Sequence, residues 1–478
     1  MAGLGLVVAG TLPCEHGSVE GEVLSQVRPT AADYDSVGRL VKHLVDLVGS
    51  VVRSAGFDSF TVSVEGSVAK DTWLKGEVDV DVFVWFSRDV CKRSIEVFVE
   101  KVAPLFASRG FLVELRHAQH PYLRVLVEGF WVEVVPGCLY TGGRPLTAVD
   151  RTRLHTRYVV SSLSPPQRDE VRLLKSFMKG VGVYGAELAV GGFSGYAAEL
   201  LVVKYGCFRR VVCSAAGWRP PVILYVEDGL RDAVKRLMGK YPSSLVFMPD
   251  PVDPSRNVAA SVTPRSLGVF VLASRMYCRS PSIKFFHVHG CKASDSVYSS
   301  YLGERIENMV LVELVFKERV APDNMWGMAE RARKVASGLL KSHGFIVVNS
   351  STFCDPSSLR CAMLVELQER VRRGLQAREG PFAWDAVQAD RFISKYLELE
   401  AVGPWIDHDG RLRVLVKPPY TSADELLSAK LAQGLPRSLK NRLDSVLVHT
   451  GLNAIDAARR LSRQWFRENI VLKPCWIG

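Results

Sequence analysis

Two aspartates interrupt an apolar run near residue 80. The segment VDVDVFVWF, residues 78–86, is rich in β-branched and aromatic residues, so it predicts a buried strand. The two-residue period of a strand places Asp79 and Asp81 on the same face. Because burying an unpaired carboxylate costs several kcal/mol, something positive must lie beside them. A lysine or arginine would serve, and so would a divalent cation.

A third acid is expected on a neighbouring strand. The segment LRVLVEGFWVEVVP, residues 123–136, predicts a hairpin that turns at Glu128-Gly129 and carries Glu133 on its second arm. Three carboxylates on adjacent strands supply the hard oxygen ligands that Mg²⁺ prefers. Two such ions about 3.5 to 4 Å apart can clamp the entering and leaving oxygens of a phosphoryl transfer. The acids therefore indicate two-metal phosphoryl-transfer chemistry.

A Gly-Ser turn precedes the aspartates by eleven residues. The alternating segment SFTVSVE, residues 59–65, predicts a strand, which Gly66 and Ser67 end before a short helix predicted over residues 68–74. Glycine lets the backbone approach a ligand closely, and amide groups at a helix start attract phosphate oxygens. We expect a triphosphate at this turn, above the metal ligands. The alternative is an aspartate pair neutralised by lysine or arginine.

A long amphipathic helix follows the sheet segments. Residues 164–167, Ser-Pro-Pro-Gln, have the form of a capping box and open a helix predicted to reach about Val181. Beside its apolar stripe runs a basic one formed by Arg172, Lys175 and Lys179. A glycine-rich turn at residues 191–195 then leads into another helix, and entry into that helix explains the turn better than phosphate binding does.

The C-terminal half carries further basic segments. Residues 323–370 predict a helix followed by two strands, which suggests a small α+β module. Near the end, Arg459, Arg463 and Arg467 repeat every four residues and would form a basic ridge along one helix. Such a ridge can follow a phosphate backbone, but a solvated helix face explains it equally well.

Length, net charge and apolar content limit the number of domains and the kinds of partner to expect. At 478 residues and 47% hydrophobic the chain exceeds what one core usually holds, so we expect three or four domains. A net charge of +11 favours a polyanionic partner without identifying it. A basic protein that binds no nucleic acid is the alternative. Residues 1–14 are apolar but lack a positive n-region, and elsewhere no apolar run reaches the roughly 18 residues of a membrane span.

The ten cysteines are scattered along the chain. The closest pairs, Cys207 with Cys213 and Cys354 with Cys361, lack the two-residue spacing of a zinc or redox motif. We therefore expect reduced, mostly buried thiols of a cytoplasmic protein. The cluster of His287, His289 and Cys291 could bind a metal, but alternation at a strand end explains it as well, so no zinc site is predicted.

The amino-acid sequences of several segments resemble those of one family. GSVAKDTWLKGEVDVDVF, HPYLRVLVEGFWVEVVP, AVDRTRLH, DEVRLLKSFMKGVGVYGAE, GGFSGYAAELL, DPVDPSRNVAA and APDNMW occur in the order found in class I, archaeal-type CCA-adding enzymes. These are tRNA nucleotidyltransferases of the DNA polymerase β-like superfamily. The resemblance implies an α+β multidomain protein. Its expected parts are a nucleotidyltransferase head with a mixed sheet (1–148), a helical neck (149–265), an α+β body (266–320 and 400–478) and a small α+β tail (321–399).

The resemblance also implies an activity. The protein would add C, C and A to tRNA 3′ ends from CTP and ATP without a nucleic-acid template, using two Mg²⁺ ions. It would be a cytoplasmic homodimer that binds no membrane. A poly(A) polymerase or an oligoadenylate synthetase is the nearest alternative. A noncatalytic RNA-binding protein on the same scaffold is another.

Residue by residue, the resemblance implies a nucleotide site. Asp79, Asp81 and Glu133 match the metal ligands, although the family has aspartate where this chain has Glu133. Ser67 would contact the outgoing phosphates, with Gly66 and Lys70 beside it. The remaining matches are Thr152 and His155 near the triphosphate and sugar, Lys175 and Tyr184 on the phosphates, and Arg256 on the base edge.

Three of these matches have plain structural alternatives. His155 could be a buried histidine with satisfied hydrogen bonds, and Tyr184 could be a core aromatic residue. Arg256 could simply pair with Asp253, three residues before it.

Overall fold

The computed structural model describes residues 14–117, 121–140, 146–287, 299–372, 374–472, 474 and 476–477. The chain forms two compact units, residues 1–292 with 474–478 (unit 1) and residues 293–473 (unit 2). Most of the apolar opening segment lies outside the described residues, and so do the metal candidates His289 and Cys291.

Unit 1 combines a mixed sheet with a group of helices. Its elements are α1 (Ser18–Val27), α2 (Ala31–Ser54), β1 (Phe60–Glu65), α3 (Gly66–Ala69), β2 (Val80–Phe86), α4 (Cys91–Ser108), β3 (Leu112–His117), β4 (Pro121–Val127), β5 (Phe130–Cys138), α5 (Thr152–Ser162), α6 (Pro165–Gly180), α7 (Gly195–Tyr205), α8 (Phe208–Ala215), β6 (Val222–Ile223), α9 (Arg231–Lys240), β7 (Val246–Phe247) and α10 (Pro264–Arg279).

The five-stranded sheet has the order β1-β2-β5-β4-β3. Strands β2 and β5 run parallel, and the other neighbours are antiparallel. Alternate residues of β2, including Val82 and Val84, pack in one core with helices α2 and α4. The period of two therefore turns Asp81 and Phe83 to the opposite face. The sheet thus has one apolar face and one face that carries charge.

The predicted hairpin is confirmed. Strands β4 and β5 pair antiparallel up to Val127 and Phe130. Between them Glu128 and Gly129 both have positive φ, 52° and 83°, as a type I′ turn requires. The predicted strand around residue 80 is also present, but it begins at Val80, so Asp79 precedes it.

The helices of unit 1 share a second core around α6. The predicted capping box is present, and the backbone N–H of Ser164 donates to Gln167 at 3.1 Å. The predicted basic stripe is not a solvated face, because Arg172 and Lys175 are 2% and 3% exposed and form ion pairs. The glycine-rich turn does enter a helix, with Ser194 capping α7.

Unit 2 contains two sheets. Its elements are α11 (Ser299–Glu307), β8 (Met309–Phe316), α12 (Pro322–Ser342), β9 (Val347–Asp355), β10 (Arg360–Leu367), β11 (Gln376–Phe382), α13 (Ala386–Leu397), β12 (Ala401–Ile406), β13 (Arg411–Val416), α14 (Ala423–Gly434), α15 (Arg437–Lys440), β14 (Leu443–Thr450), α16 (Gly451–Leu461) and α17 (Arg463–Val471).

An antiparallel sheet of order β14-β8-β10-β9 has apolar residues on both faces. One core joins it to α12 and α14, and the other joins it to α16 and α17. A separate sheet of order β11-β13-β12 packs with α13. The predicted order of helix, strand and strand in α12, β9 and β10 is confirmed. Strands from both the predicted body and the predicted tail share the first sheet, and the four domain boundaries stay predictions.

The predicted arginine ridge on one helix is wrong. Helix α16 ends at Leu461, and Ser462 is extended with φ −161°. The Ser462 side chain accepts a hydrogen bond from the backbone N–H of Trp465 at 3.1 Å, so it caps a new helix. Arg459 and Arg463 therefore belong to different helices, because a local cap overrides the four-residue repeat.

The expectation of reduced thiols is also wrong. Four disulfides form among the described residues, namely Cys14–Cys207, Cys91–Cys138, Cys213–Cys278 and Cys354–Cys361. Three of them join residues 193, 47 and 65 positions apart, which the fold brings to Cα separations below 6 Å. Short-range spacing cannot reveal such pairs. The fourth joins directly opposed residues of β9 and β10.

Across the described ranges, no helix has the length and apolar character needed to cross a membrane.

Candidate active site

The charged face of the five-stranded sheet forms one wall of a cleft of about 350 Å³. Helices α6 and α7 contribute the opposite wall. Eight of the eleven predicted site residues line this cleft, namely Gly66, Ser67, Lys70, Asp79, Asp81, Glu133, Lys175 and Tyr184. The fold thus brings together residues that are more than 100 positions apart. Thr152, His155 and Arg256 are not among the lining residues.

Asp79, Asp81 and Glu133 form a carboxylate wall. Asp81 lies directly opposite Glu133 on the parallel neighbour β5 and directly opposite Glu65 on β1. Burial, Glu133 and Asp79 together raise the pKa of Asp81 to about 7. Burial and Asp79 likewise raise the pKa of Glu133. The buried carboxylates of this wall therefore favour a bound proton or cation.

Gly66 is required by this crowding. Its φ is +72°, and a Cβ built on it would overlap Oδ2 of Asp81 and lie 3.1 Å from the carboxyl carbon. Glycine therefore serves both the left-handed backbone and the close approach of the carboxylate. The predicted helix over residues 68–74 is wrong, since α3 ends at Ala69. The chain leaves the helix there, with Asp71 at a φ of 54°, and the Lys70 and Thr72 side chains donate to Glu199.

The longer side chain at position 133 has a hydrogen-bond donor. The Tyr122 hydroxyl donates to Oε1 of Glu133 at 3.3 Å, and burial with the Glu133 charge raises the pKa of Tyr122 to about 12. Tyr122 therefore stays protonated and can hold the glutamate in place. Beside it, the Arg124 guanidinium lies 4.6 Å from the centre of the Trp131 ring, and both residues line the cleft.

Two lysines and one glutamate, Lys70, Lys175 and Glu199, form the lysine wall. Glu199 accepts from Lys70 at 2.8 Å and from Lys175 at 3.4 Å, and all three side chains are buried. Lys175 also donates to the hydroxyl and carbonyl oxygens of Thr72. Burial lowers the pKa of Lys175 to about 8, although Glu199 opposes this. With two cations to one anion, this wall suits a phosphate group.

Tyr184 closes the same side of the cleft. Burial and the charge of Glu199 raise its pKa above the usual range, so its hydroxyl remains a donor. A Cβ on Gly195 would lie 2.8 Å from that hydroxyl oxygen and 3.7 Å from Cε of Lys175. The glycine at the start of α7 therefore leaves room for both side chains.

His155 and Arg256 meet at an acid that the sequence reading did not single out. His155 Nε2 and Arg256 Nη1 lie 2.8 and 3.0 Å from Oδ2 of Asp250. Asp253, the expected partner of Arg256, instead accepts from Arg151 at 2.7 Å. The Tyr196 hydroxyl also donates to Asp250, and Tyr196 lines the cleft. Thr152 begins α5, three residues before His155.

The carboxylate wall is a candidate metal site. Within the described parts of the chain, no three His, Cys, Asp or Glu side chains are close enough to hold a metal ion. The donor set nevertheless fits a hard divalent cation, because three carboxylates line one cleft. Positive side chains also act on this wall, since the charge of Lys70 lowers the pKa of Asp81 and the charges of Arg124 and Arg116 lower that of Glu133. An aspartate pair neutralised by lysine or arginine therefore stays the alternative to a metal site.

Several residues in or beside the cleft were missed from the sequence. Glu199 had a signal, since it is an acid inside the apolar helix segment GYAAELL. Tyr196 follows the glycine-rich turn, and Asp250 stands in DPVDP, but neither position alone indicates a function. Arg124 and Trp131 lie on the predicted hairpin arms, yet only the strand pairing brings them beside Glu133.

A mixed sheet with paired carboxylates, facing buried lysines across a cleft, defines a nucleotidyltransferase. Residues 169–287 match the family model "tRNA nucleotidyltransferase, second domain", and residues 308–449 match "CCA-adding enzyme, C-terminal domain". The chain belongs to the family of CCA-adding enzymes.

Curated relatives give the same result. The CCA-adding enzyme of Sulfolobus acidocaldarius is 34% identical over 417 residues, which cover 87% of this chain and 91% of the relative. That of Pyrobaculum islandicum is 35% identical, covering 86% and 93%. That of Aeropyrum pernix is 35% identical, covering 85% of each. The solved structure of the Cid1 poly(U) polymerase aligns with 59% of this chain and 96% of its own at 13% identity and a TM-score of 0.41.

Proposed function

We propose that this chain adds C, C and A in turn to the 3′ end of tRNA, using CTP and ATP and no nucleic-acid template. Support comes from a carboxylate wall and a lysine wall that face each other across one cleft, in a member of the CCA-adding family. The 3′-hydroxyl oxygen of the tRNA loses its proton to water and forms a bond to the α-phosphorus, and the bond from that phosphorus to pyrophosphate breaks.

Asp79, Asp81 and Glu133 would hold two magnesium ions, which would activate the attacking hydroxyl and neutralise charge on the departing pyrophosphate. The chain itself contributes positioning and charge. The buried ammonium groups of Lys70 and Lys175 attract the triphosphate, because Glu199 cancels only one of their two charges. No covalent intermediate with the protein is required.

Donor groups orient the nucleotide. The Ser67 hydroxyl, at the Gly-Ser turn, donates to a phosphate oxygen of the leaving group. Tyr184, which stays protonated, donates beside it. Thr152 and His155 lie on the sugar side, and Arg256 reads the base edge with its remaining N–H groups, since its fork suits bidentate contacts.

The test is direct. Purified protein, Mg²⁺, labelled CTP and ATP, and a tRNA ending at the discriminator base are incubated, and the product ends are sequenced. We expect CCA followed by a stop, and no incorporation by Asp79→Asn combined with Asp81→Asn. Long A tails would favour a poly(A) polymerase, and A oligomers made without tRNA would favour an oligoadenylate synthetase. tRNA binding without incorporation would indicate a noncatalytic protein.

We further propose that tRNA is bound mainly through its phosphates, in keeping with the net charge of +11. The affinity should then fall steeply with salt, and a slope of log K against log salt near zero would contradict this. A homodimer and a cytoplasmic location, which the resemblance implies, are also part of the proposal. Light scattering of the purified protein tests the first.

A further inference from the structure

Asp250 is a fully buried acid just outside the cleft, with an exposure of 0%. Its Oδ2 lies 2.8 Å from His155 Nε2 and 3.0 Å from Arg256 Nη1. Its Oδ1 accepts from the Tyr196 hydroxyl at 3.2 Å and from the backbone N–H of Val252 at 3.1 Å. Both carboxylate oxygens are therefore fully engaged, and no part of Asp250 is available to a ligand.

The charge on Asp250 determines how its partners are protonated. Burial opposes ionisation, but the hydrogen bond to His155 and the charge of Arg256 outweigh it and lower the pKa of Asp250. An ionised carboxylate only accepts hydrogen bonds, so His155 must carry its hydrogen on Nε2. Burial lowers the pKa of His155, which leaves Nδ1 as an acceptor.

Asp250 also holds one terminal nitrogen of the Arg256 guanidinium. One Nη1 group donates to the carboxylate, and the Arg256 side chain is still 36% exposed. Its other N–H groups can therefore reach a ligand. Tyr196 connects this arrangement to the cleft, because its ring lies 4.1 Å from the His155 ring and 5.1 Å from Nζ of Lys70. Asp250 thus lies between the predicted base reader and the lysine wall.

We propose that Asp250 is a positioning residue for base selection, a role that rests on the proposed function of this site. It holds Arg256 so that the guanidinium donates to the ring nitrogen that accepts in cytosine (N3) and in adenine (N1). Uracil N3 and guanine N1 carry a hydrogen at that place and repel the donor. Fixing the fork therefore favours the two bases that the reaction uses over the two that it must reject.

Asp250→Asn tests this with little change in shape. Asparagine cannot accept from all the same donors, and loss of a hydrogen bond between charged groups lowers kcat/KM for CTP about 10- to 100-fold. We expect most of that loss in KM, and a similar loss in the preference for CTP over UTP. Asp253→Asn is the matched control, because Asp253 lies on the same loop but pairs with Arg151. It should keep the CTP preference.

A double-mutant cycle separates positioning from general stability. If Asp250 acts through Arg256, then Asp250→Asn should add less than about twofold to the loss of CTP preference in Arg256→Ala. A full additional loss in that background, or an unchanged CTP preference in Asp250→Asn, would overturn the proposal. If Asp250→Asn does not fold, Tyr196→Phe removes one donor to the same carboxylate. It should lower the CTP preference in the same direction, and an unchanged preference would count against the role.

Binding of CTP and UTP by calorimetry, without tRNA, keeps the two proposals apart. A wild-type protein that prefers CTP in binding but adds no CCA to tRNA refutes the proposed function only. A wild-type protein that adds CCA while Asp250→Asn binds both nucleotides as before refutes the positioning role only.

Discussion

Gly66→Ala is expected to damage the carboxylate wall far more than it damages the fold. The residue has φ +72°, and a Cβ there would overlap the Asp81 carboxylate. Asp81 must move, because the added carbon is fixed to the backbone. Its carboxylate cannot easily shift along the sheet, since Glu65 and Glu133 lie directly on either side.

The expected effect of Gly66→Ala has two parts, a loss of stability and a loss of rate. A left-handed backbone costs a residue with a side chain about 1 to 2 kcal/mol, which should appear as lost stability of unit 1. Relieving the overlap requires a shift of about 1 Å at the carboxylate, and such a displacement costs about 100-fold in rate. Gly76 separates the two effects. It has φ +78°, and a Cβ there would have no neighbour within 4 Å.

The assay compares both variants with the wild-type protein. Scanning calorimetry should show similar losses of stability for Gly66→Ala and Gly76→Ala. Initial rates of CTP addition, measured over a range of Mg²⁺ concentrations, should fall about 100-fold only for Gly66→Ala. Equal rates in the two variants would refute the reasoning, because the strained backbone alone would then account for everything. A loss confined to Gly76→Ala would refute it as well.

Three further outcomes are expected. In EDTA, Asp81→Asn should stabilise unit 1 at pH 8 by up to about 4 kcal/mol. The folded pKa of about 7 exceeds the ordinary 3.8, so wild-type stability falls as pH rises between those values, and identical pH profiles in calorimetry would contradict this. Glu199→Gln should cost about 3 to 5 kcal/mol in denaturant unfolding, because Lys175 loses its buried partner. Cys14→Ser should cost up to about 5 kcal/mol under oxidising conditions, because the bond to Cys207 closes a loop of 193 residues, and the variant should match the wild type when both proteins are reduced.

Local rules were enough to predict much of the sheet. Alternation identified strand β1, the β-branched and aromatic residues identified β2, and the Glu-Gly pair at 128–129 identified the hairpin turn. The same rules placed Asp81 and Glu133 on strands, although their direct opposition depends on the parallel pairing of β2 with β5. Each of these features is encoded within about ten residues of chain. Where residues far apart in sequence meet, as Lys70 and Thr72 do with Glu199, the predicted helix over residues 68–74 did not form.

The same distinction explains the missed residues. In the sequence Asp250 is one of several loop acids. Only the fold shows that it contacts both His155, 95 positions away, and Arg256, 6 positions away. Three of the four cysteine pairs are hidden for the same reason, since their partners lie 193, 47 and 65 positions apart. Lys175 was predicted at the site from resemblance, and its place on a basic stripe agreed with that prediction. The burial of Lys175 beside Glu199 results from helix packing, which the periodicity of a single helix does not reveal.

The two walls of the cleft contain ionisable groups whose pKa values are shifted in opposite directions. Burial and crowding push Asp81 towards protonation, with a pKa of about 7, while burial pushes Lys175 towards the neutral amine, with a pKa of about 8. A nucleotide triphosphate carrying divalent ions would restore both, since its cations compensate the acids and its phosphates compensate the lysine. Binding of metal and nucleotide should therefore be mutually favourable, and by linkage each must raise the affinity for the other by the same factor. Neither wall alone is neutral at physiological pH. The fold keeps both sets of charged groups buried at a cost in free energy, which the metal-bound substrate would remove.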